Sequence, residues 1–363
     1  MSSNLDIPIH NLAQLNINGE SSNSNNNGNN ANDGNSGNDE NSGNNDLNID
    51  NLKKRRKPFL KWAGGKTQIL DKILDKFPKE IKNYHESFIG GGSVLLGLLC
   101  KIFNGEIKIK GKIFVYDLNP FLINLYNHIK NNKDDLLLKI QFYMSRYIEC
   151  DNNFEKDQDK INRNPSNEEE ATTSKESYFY WLRKIFNEKA FQNKEETIEI
   201  SALFIILNKL CFRGIYREGP NGFNVPFGHY KTVPNVLSEE DLNIYHLLFQ
   251  KVEFKRAHFN ESIIKAKKGD LVYLDPPYAP ENETSFVGYT KDGFEEKDHK
   301  ELFKLINNLH QKKIKFILSN ADVELVNSNF SNPEYTTERI ECRRACNSKN
   351  PGAKTSEVII HNY

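Results

Sequence analysis

Cysteine is scarce in this 363-residue chain: the five present, Cys100, Cys150, Cys211, Cys342 and Cys346, form no Cys-x-x-Cys pair. An odd and scattered set argues against a disulfide framework and against a four-ligand zinc site, and leaves reduced thiols that pack. Long apolar runs are missing too. No stretch is long enough to cross a bilayer, and the N-terminus lacks the continuous apolar segment of a secretory signal, so the expectation is a soluble, intracellular protein with no membrane partner. Residues 1–50 contain no Lys, no Arg and no aromatic side chain; they are mostly Asn, Ser and Gly, with seven acids, Asp6, Glu20, Asp33, Asp39, Glu40, Asp46 and Asp50. Such a segment buries too little apolar surface to offset its ordering entropy, and residues 1–52 read as a disordered tail. Its acids also mask a charge. The whole chain has 49 basic and 49 acidic residues, whereas residues 51–363 keep 49 against 42, a net of +7 that suits a polyanionic partner.

What remains, about 313 residues without an internal repeat, is long for one domain and comfortable for a core domain with an insertion. A second polar stretch, residues 151–176, reads as an exposed loop. The most telling run is Leu271-Val272-Tyr273-Leu274-Asp275-Pro276-Pro277-Tyr278. Four apolar residues without alternation indicate a strand buried on both faces of a parallel sheet, and ligands bind beyond the carboxyl ends of such strands. Pro276 and Pro277 stiffen the turn and leave the Pro276 carbonyl as an acceptor. Side by side with the Asp275 carboxylate, that carbonyl can accept both hydrogens of an exocyclic amino group, while Tyr278 offers a stacking face. The plain alternative is a strand followed by a proline-rich turn.

Upstream, Lys57-Pro58-Phe59-Leu60-Lys61-Trp62-Ala63-Gly64-Gly65-Lys66-Thr67 precedes Gln68 to Phe77, where Ile69, Leu70, Ile73, Leu74 and Phe77 have helical spacing. A phosphate-binding loop needs glycine five residues before Gly65, and Leu60 stands there, so a nucleoside triphosphatase is disfavoured. Next, Glu86-Ser87-Phe88-Ile89-Gly90-Gly91-Gly92-Ser93 is a strand end and glycine turn leading into an apolar helix. Three glycines let the backbone approach a nucleoside, but Leu95 occupies the third position of a dinucleotide fingerprint, which disfavours NAD. A second buried strand, Ile113 to Asp117, ends in an acid placed to accept hydrogen bonds from ribose hydroxyls; the competing reading of Asp117 is a cap on the helix that follows.

Taken together and in this order, Phe59 to Lys66, Phe88 to Ser93, Asp117 and Asp275 to Tyr278 resemble the Dam-type DNA adenine-N6 methyltransferases. The resemblance runs from about residue 57 to the C-terminus. It includes Asn208 to Arg217 with Gly222 to Tyr230, similar to that family's DNA-reading hairpin, and Arg343 to Lys349 with Glu357 to Tyr363, similar to its closing strands. It implies S-adenosylmethionine as cofactor, contacted by Trp62, Lys66, Phe88, Gly90, Gly92, Asp117 and Asp275. It further implies methylation of adenine N6 in double-stranded DNA, with Asp275, Pro276, Pro277 and Tyr278 as the catalytic set. An aromatic surface and a donor for a carboxylate suit a sulfonium cofactor carrying an amino-acid group, and no metal is required. A stacked adenine cannot reach such a pocket, so the base must be flipped.

On the DNA side the expected contacts are Lys61, Phe212, Arg213, Arg217 and Pro226. Phe212 is a candidate wedge, or else a core residue of the hairpin; Arg217 and Lys61 are candidates to read guanine, or else phosphate contacts. The family pattern has Asn where Arg213 stands, which bears on the target word; GATC is the word that the resemblance implies. Lys53-Lys54-Arg55-Arg56-Lys57 is open to three readings, a nuclear localisation signal in a eukaryotic source, a phosphate-contacting arm or a solvated charge run. The fold expected is α/β, a doubly wound, mostly parallel Rossmann-like sheet built from residues 53–135 and 250–363. A largely helical recognition insertion at 136–249, carrying a β-hairpin, interrupts it. Two rivals are an amino-group methyltransferase acting on RNA or free bases, and a DNA-binding module without catalysis.

Overall fold

The computed structural model describes residues 57–150, 161–280, 293–343 and 354–363. The N-terminal tail, Lys53 to Arg56, residues 151–160 and Arg344 to Lys349 lie outside the described residues. In chain order the first run is α1 (Leu70–Leu74), β1 (Glu80–Ile81), β2 (Tyr84–Glu86), α2 (Ser93–Phe103), β3 (Lys108–Ile109), β4 (Ile113–Asp117) and α3 (Pro120–Asn131). A mainly helical run follows: α4 (Lys133–Glu149), α5 (Glu168–Ala171), α6 (Lys175–Asn187), α7 (Ile198–Leu210), β5 (Glu218–Gly219), β6 (Gly222–Phe223) and α8 (Glu239–Phe249). The last run is β7 (Val252–Arg256), α9 (Phe259–Ile263), β8 (Leu271–Leu274), α10 (Glu296–Gln311), β9 (Lys315–Ala321), α11 (Glu324–Asn329), β10 (Thr336–Arg343) and β11 (Lys354–His361).

Seven strands form one mixed, mostly parallel sheet in the order β10-β11-β9-β8-β2-β4-β7. β8, β2, β4, β7 and β9 pair in parallel, and β11 runs antiparallel between β9 and β10. From β2 the chain moves outward to β4 and β7, then returns to lay β8 on the other side of β2. The direction of winding therefore reverses between β2 and β8, which opens a crevice at their carboxyl ends. The alternation-free reading of β8 agrees with its packing. Leu271 and Tyr273 enter the apolar cluster on one face of the sheet, and Val272 and Leu274 enter the cluster on the other. Each fully buried side chain of this size contributes roughly 1.5–3 kcal/mol, so the turn after β8 starts from a firmly held point.

Helices α4, α6, α7 and α8 place their apolar residues in the same cluster as α2, α3 and the adjoining sheet face. Their sequences explain this. Thr197 and Ser174 cap α7 and α6 by accepting from Ile200 N and Ser177 N, and α7 then buries Ile200 to Leu207 almost without interruption. Three sequence expectations change in detail. The amphipathic stretch from Gln68 to Phe77 is helical only over Leu70–Leu74, although Ile69 and Phe77 are buried. Part of the polar stretch read as loop is ordered helix. Asn167 caps α5, and Glu176 is buried in α6 with Arg163 as its partner at 2.7 Å, so polar composition there reflects capping and pairing. Within the block read as a hairpin, Asn208 to Leu210 end α7 and Phe212–Gly214 form a 3₁₀ turn. Pairing is confined to Glu218–Gly219 with Gly222–Phe223, plus a bridge between Cys211 and Phe227.

Candidate active site

The crevice between β2 and β8 is walled by two turns. Beyond β2, Gly90 adopts φ +50° and Gly92 φ +75°; a Cβ added at Gly90 would lie 2.9 Å from Trp62 Cδ1, and one at Gly92 would lie 2.6 Å from Tyr126 Oη. Glycine is thus needed twice, for conformation and for space. Trp62 fills the space above, stacked on Tyr216 at 5.2 Å between centroids and an interplanar angle of 23°. The next strand, β4, ends at Asp117, whose Oδ2 accepts from Gly90 N at 3.1 Å and whose Oδ1 accepts from Asn119 N at 2.9 Å. The cap of α3 is Asn119, accepting from Phe121 N and Leu122 N, so Asp117 is free of that duty and instead ties the glycine turn to the end of β4.

Beyond β8, the Asp275 side chain is 17% exposed, and its Oδ2 forms an ion pair with Lys66 Nζ at 2.7 Å. Lys66 is itself buried, donates to the carbonyl of Gly64, and holds its ammonium 4.8 Å from the centre of the Tyr278 ring. Asp275 Oδ1 is buried without a hydrogen-bond partner among the described residues. Burial raises the Asp275 carboxyl first, the Lys66 ammonium pulls it down and the Glu357 carboxylate pushes it up, leaving it at about 6. Glu86, at the end of β2, is pushed up to about 8 by burial, against the Tyr84 hydroxyl that donates to it at 2.9 Å and with further pressure from Asp275 and Asp117. Asp275 and Asp117 thus both bear on Glu86, and a ligand bearing positive charge would favour the ionised forms of these carboxyl groups. Tyr278 donates to Glu357 Oε2 at 2.8 Å, and Ala279 N donates to Asn320 Oδ1 at 3.0 Å.

A paired glycine turn, an acid after the next strand and an Asp-Pro-Pro-Tyr turn at the switch point agree with what comparison finds. The profile of the D12 class N6 adenine-specific DNA methyltransferases matches residues 62–345. The chain belongs to that family. It is 34% identical over 319 residues to the Type II methyltransferase M.MjaIII of Methanocaldococcus jannaschii, covering 85% of this chain and 99% of the relative. It is 32% identical over 313 residues to the DNA adenine methylase of Haemophilus influenzae, covering 85% and 94% respectively. A further relative is the Type II methyltransferase M1.LlaDCHI of Lactococcus lactis subsp. cremoris, 28% identical over 312 residues, with 85% and 95% covered.

In this methyltransferase, Gly90 meets Trp62 and Asp117 on the β2 side, Lys66 meets Asp275 and Tyr278 on the β8 side, and Pro276 and Pro277 lie in the turn between the last two. Phe88 is half-buried, stacks on Phe259 at 5.7 Å and packs against the second apolar cluster. The residues expected to meet DNA form a second group. Asn208 accepts from Lys61 N at 3.0 Å and donates to the carbonyls of Lys61 and Gly214, joining the Lys61 loop to the turn that carries Phe212 and Arg213. Phe212 is 45% exposed, which removes it from the core, and Arg213 lays its guanidinium 5.2 Å from that ring. Arg213 has φ 57° and ψ 8°, a left-handed conformation that Asn adopts more readily than Arg. Pro226 is exposed and its carbonyl accepts from Phe212 N at 2.8 Å. Arg217 is exposed and bonds Asn224 Oδ1 through Nε at 2.7 Å.

Reading the chain alone missed Glu86, Asn320 and Glu357. Glu86 carries a signal, a charged residue between the apolar Tyr84 and Phe88. Asn320 and Glu357 carry none, because their placement depends on β9 and β11 lying next to β8. Among the described residues, no group of three or more His, Cys, Asp and Glu is arranged to hold a metal, and no helix is long and apolar enough to cross a membrane.

Proposed function

We propose that this chain uses S-adenosylmethionine to methylate adenine N6 in double-stranded DNA at the word GATC, flipping the target base into the crevice beyond β8. The observation that carries the reading is Asp275: a half-buried carboxylate at the switch point with Oδ2 engaged by Lys66 and Oδ1 without a hydrogen-bond partner among the described residues, beside the ring of Tyr278. Oδ1 and the Pro276 carbonyl accept the two amino hydrogens of adenine. That hydrogen bonding favours a more pyramidal nitrogen and stabilises the positive charge it gains as the methyl group arrives. Tyr278 supplies the stacking face, and the two prolines keep the acceptors from turning away.

S-adenosylmethionine supplies an electrophilic methyl group on a sulfonium centre. Its fit here is supported by the donor set of the crevice: carboxylates that suit its cationic charge, Trp62 as an aromatic surface, Lys66 as a donor to its carboxylate, and Asp117 at the place where ribose hydroxyls are received. Gly90 and Gly92 let the backbone approach the nucleoside. On the DNA side, the helical run from α4 to α8 with its short hairpin serves as the recognition insertion. Phe212 enters the stack left by the flipped adenine, and Lys61 and Arg217 read guanine edges. Arg213 and Pro226 line the same approach.

Methylation-aware sequencing of DNA from host cells expressing the chain tests activity and target word together. Adenine methylation at GATC, absent with Asp275→Ala, is the expected result; loss of the acceptor is expected to cost roughly 2.7–4 kcal/mol of transition-state stabilisation, about a hundred- to a thousand-fold in rate. Methylation at a different word would overturn GATC alone, and full activity of a folded Asp275→Ala would overturn the catalytic assignment.

A further inference from the structure

We infer that Glu357 is a positioning residue for the reaction: from β11 it sets the orientation of the Tyr278 ring, the face on which the target adenine stacks in the function proposed above, a reading on which this inference rests. The backbone and the ring of this turn are held by different groups. Asn320, fully buried at the end of β9, accepts through Oδ1 from Ala279 N at 3.0 Å and from Ala321 N at 2.8 Å, which fastens the main chain just after Tyr278. What that clamp leaves undetermined is rotation of the ring about its side-chain torsions. Tyr278 Oη donates to Glu357 Oε2 at 2.8 Å and so removes that freedom.

The support for Glu357 is rigid. β11 pairs on both sides, with β9 and with β10, and Glu357 stands opposite Ala321 in the register. Lys66, with its ammonium 4.8 Å from the ring centre, stands beside the same ring. A carboxylate taken partly out of water, held by the Tyr278 hydroxyl and the Cys342 thiol rather than by a Lys or Arg ion pair among the described residues, is costly to keep unless its acceptor geometry is used. Stacking alone tolerates a range of ring tilts, whereas in-line attack on a methyl group tolerates little misplacement of the nitrogen, so fixing the ring fixes the base.

Glu357 also acts on Asp275 through its charge. The groups facing Asp275 are Lys66 from the loop before α1, Glu86 from β2, Tyr273 and Tyr278 from its own strand and turn, and Glu357 from β11. Of these, Lys66 lowers the Asp275 carboxyl and Glu357 raises it. A neutral residue at position 357 therefore moves the acid limb of the rate profile to lower pH, a change that a purely structural role does not produce.

The experiment is single-turnover methylation of an adenine-containing duplex with labelled S-adenosylmethionine, at saturating enzyme, for the parent, Glu357→Ala, Glu357→Gln, Tyr278→Phe and the double variant Tyr278→Phe with Glu357→Ala. Glu357→Ala and Tyr278→Phe are each expected to slow the step about ten- to a hundred-fold with cofactor affinity unchanged, and the double variant is expected to be no slower than the slower single variant. Glu357→Gln, whose amide oxygen accepts the same hydroxyl, recovers most of the rate and shifts the acid limb downward. A parental rate for Tyr278→Phe or Glu357→Gln with no shift of the acid limb, or multiplied losses in the double variant, overturns the inference even if Glu357→Ala fails to fold. A parent that transfers no methyl group sinks the underlying function and this inference with it; a parent that does, with Glu357→Ala at full rate, sinks the inference alone.

Discussion

Replacing Lys66 with Met probes the electrostatics at the end of β8 without touching a backbone hydrogen bond of that strand. Lys66 is 4% exposed and its Nζ stands 2.7 Å from Asp275 Oδ2. In the parent the Asp275 carboxyl lies at about 6, above the ordinary 3.8, because burial outweighs the help of Lys66. A raised folded value means that the carboxyl's contribution to stability is fully present below pH 3.8 and is lost as pH rises through about 6. Methionine keeps an apolar stem and removes the ammonium. Loss of an adjacent opposite charge raises a carboxyl by roughly one to three pH units, which carries Asp275 further above its parental value in the variant. At pH 5 both proteins hold Asp275 mostly protonated, and the variant differs by little more than the lost contacts of the lysine head. At pH 8 the parent has ionised it with Lys66 as partner, while the variant must keep a proton or an unpaired carboxylate. The additional destabilisation is then on the order of 2 kcal/mol. Urea denaturation of the parent and Lys66→Met at the two pH values, without cofactor or DNA, measures it. A loss of equal size at both, or a larger loss at pH 5, would refute the reasoning, because neither follows from a carboxylate deprived of its cation.

Three other outcomes follow from named contacts. Gly92→Ala is expected to lower the urea midpoint by an amount equivalent to about 1–3 kcal/mol, since the added Cβ would lie 2.6 Å from Tyr126 Oη at a φ of +75°; an unchanged midpoint would show that the turn relaxes freely. Arg213→Asn is expected to raise the melting temperature by the equivalent of about 0.5–1 kcal/mol, because Asn tolerates the left-handed backbone at φ 57° better, and a fall in melting temperature would show that the guanidinium over Phe212 outweighs the strain. Arg217→Ala separates reading from holding: a forked contact to guanine predicts a loss of about 1–3 kcal/mol on the preferred duplex with relaxed discrimination at one base position. Uniform loss across all duplexes, with the salt dependence reduced by about one unit of slope, would assign Arg217 to a phosphate instead.

Local signals were legible wherever neighbouring residues determine the structure. An apolar run without alternation specifies a doubly buried strand, two prolines specify a stiff exit from it, and glycines before an apolar helix specify a tight turn. For these reasons the Asp275 turn, the Gly90–Gly92 turn and Asp117 were recognisable before any coordinates. Reading Asp117 as a cap failed for a local reason as well: Asn119 is one residue before α3 begins and takes the cap itself, leaving the aspartate to bond Gly90. Composition misled where side chains pair across the chain. Glu176 looks like part of a solvated polar loop, yet it is buried because Arg163 partners it.

Strand order lay beyond the reach of the sequence alone, because periodicity states that a strand is buried on both faces and is silent on which strands flank it. Only the order β9-β8-β2-β4 sets the Asp275 turn beside the glycine turn and brings Lys66 from the N-terminal loop to within 2.7 Å of the carboxylate. The same order delivers Asn320 and Glu357 to the turn from β9 and β11, and sets Phe88 against Phe259 in the second apolar cluster. The amino-acid sequence by itself determined the pieces of the site, since each is a short-range consequence of backbone restriction and burial. The tertiary structure decided which charges meet, because the pairing of distant side chains depends on how two apolar clusters cover the two faces of one sheet.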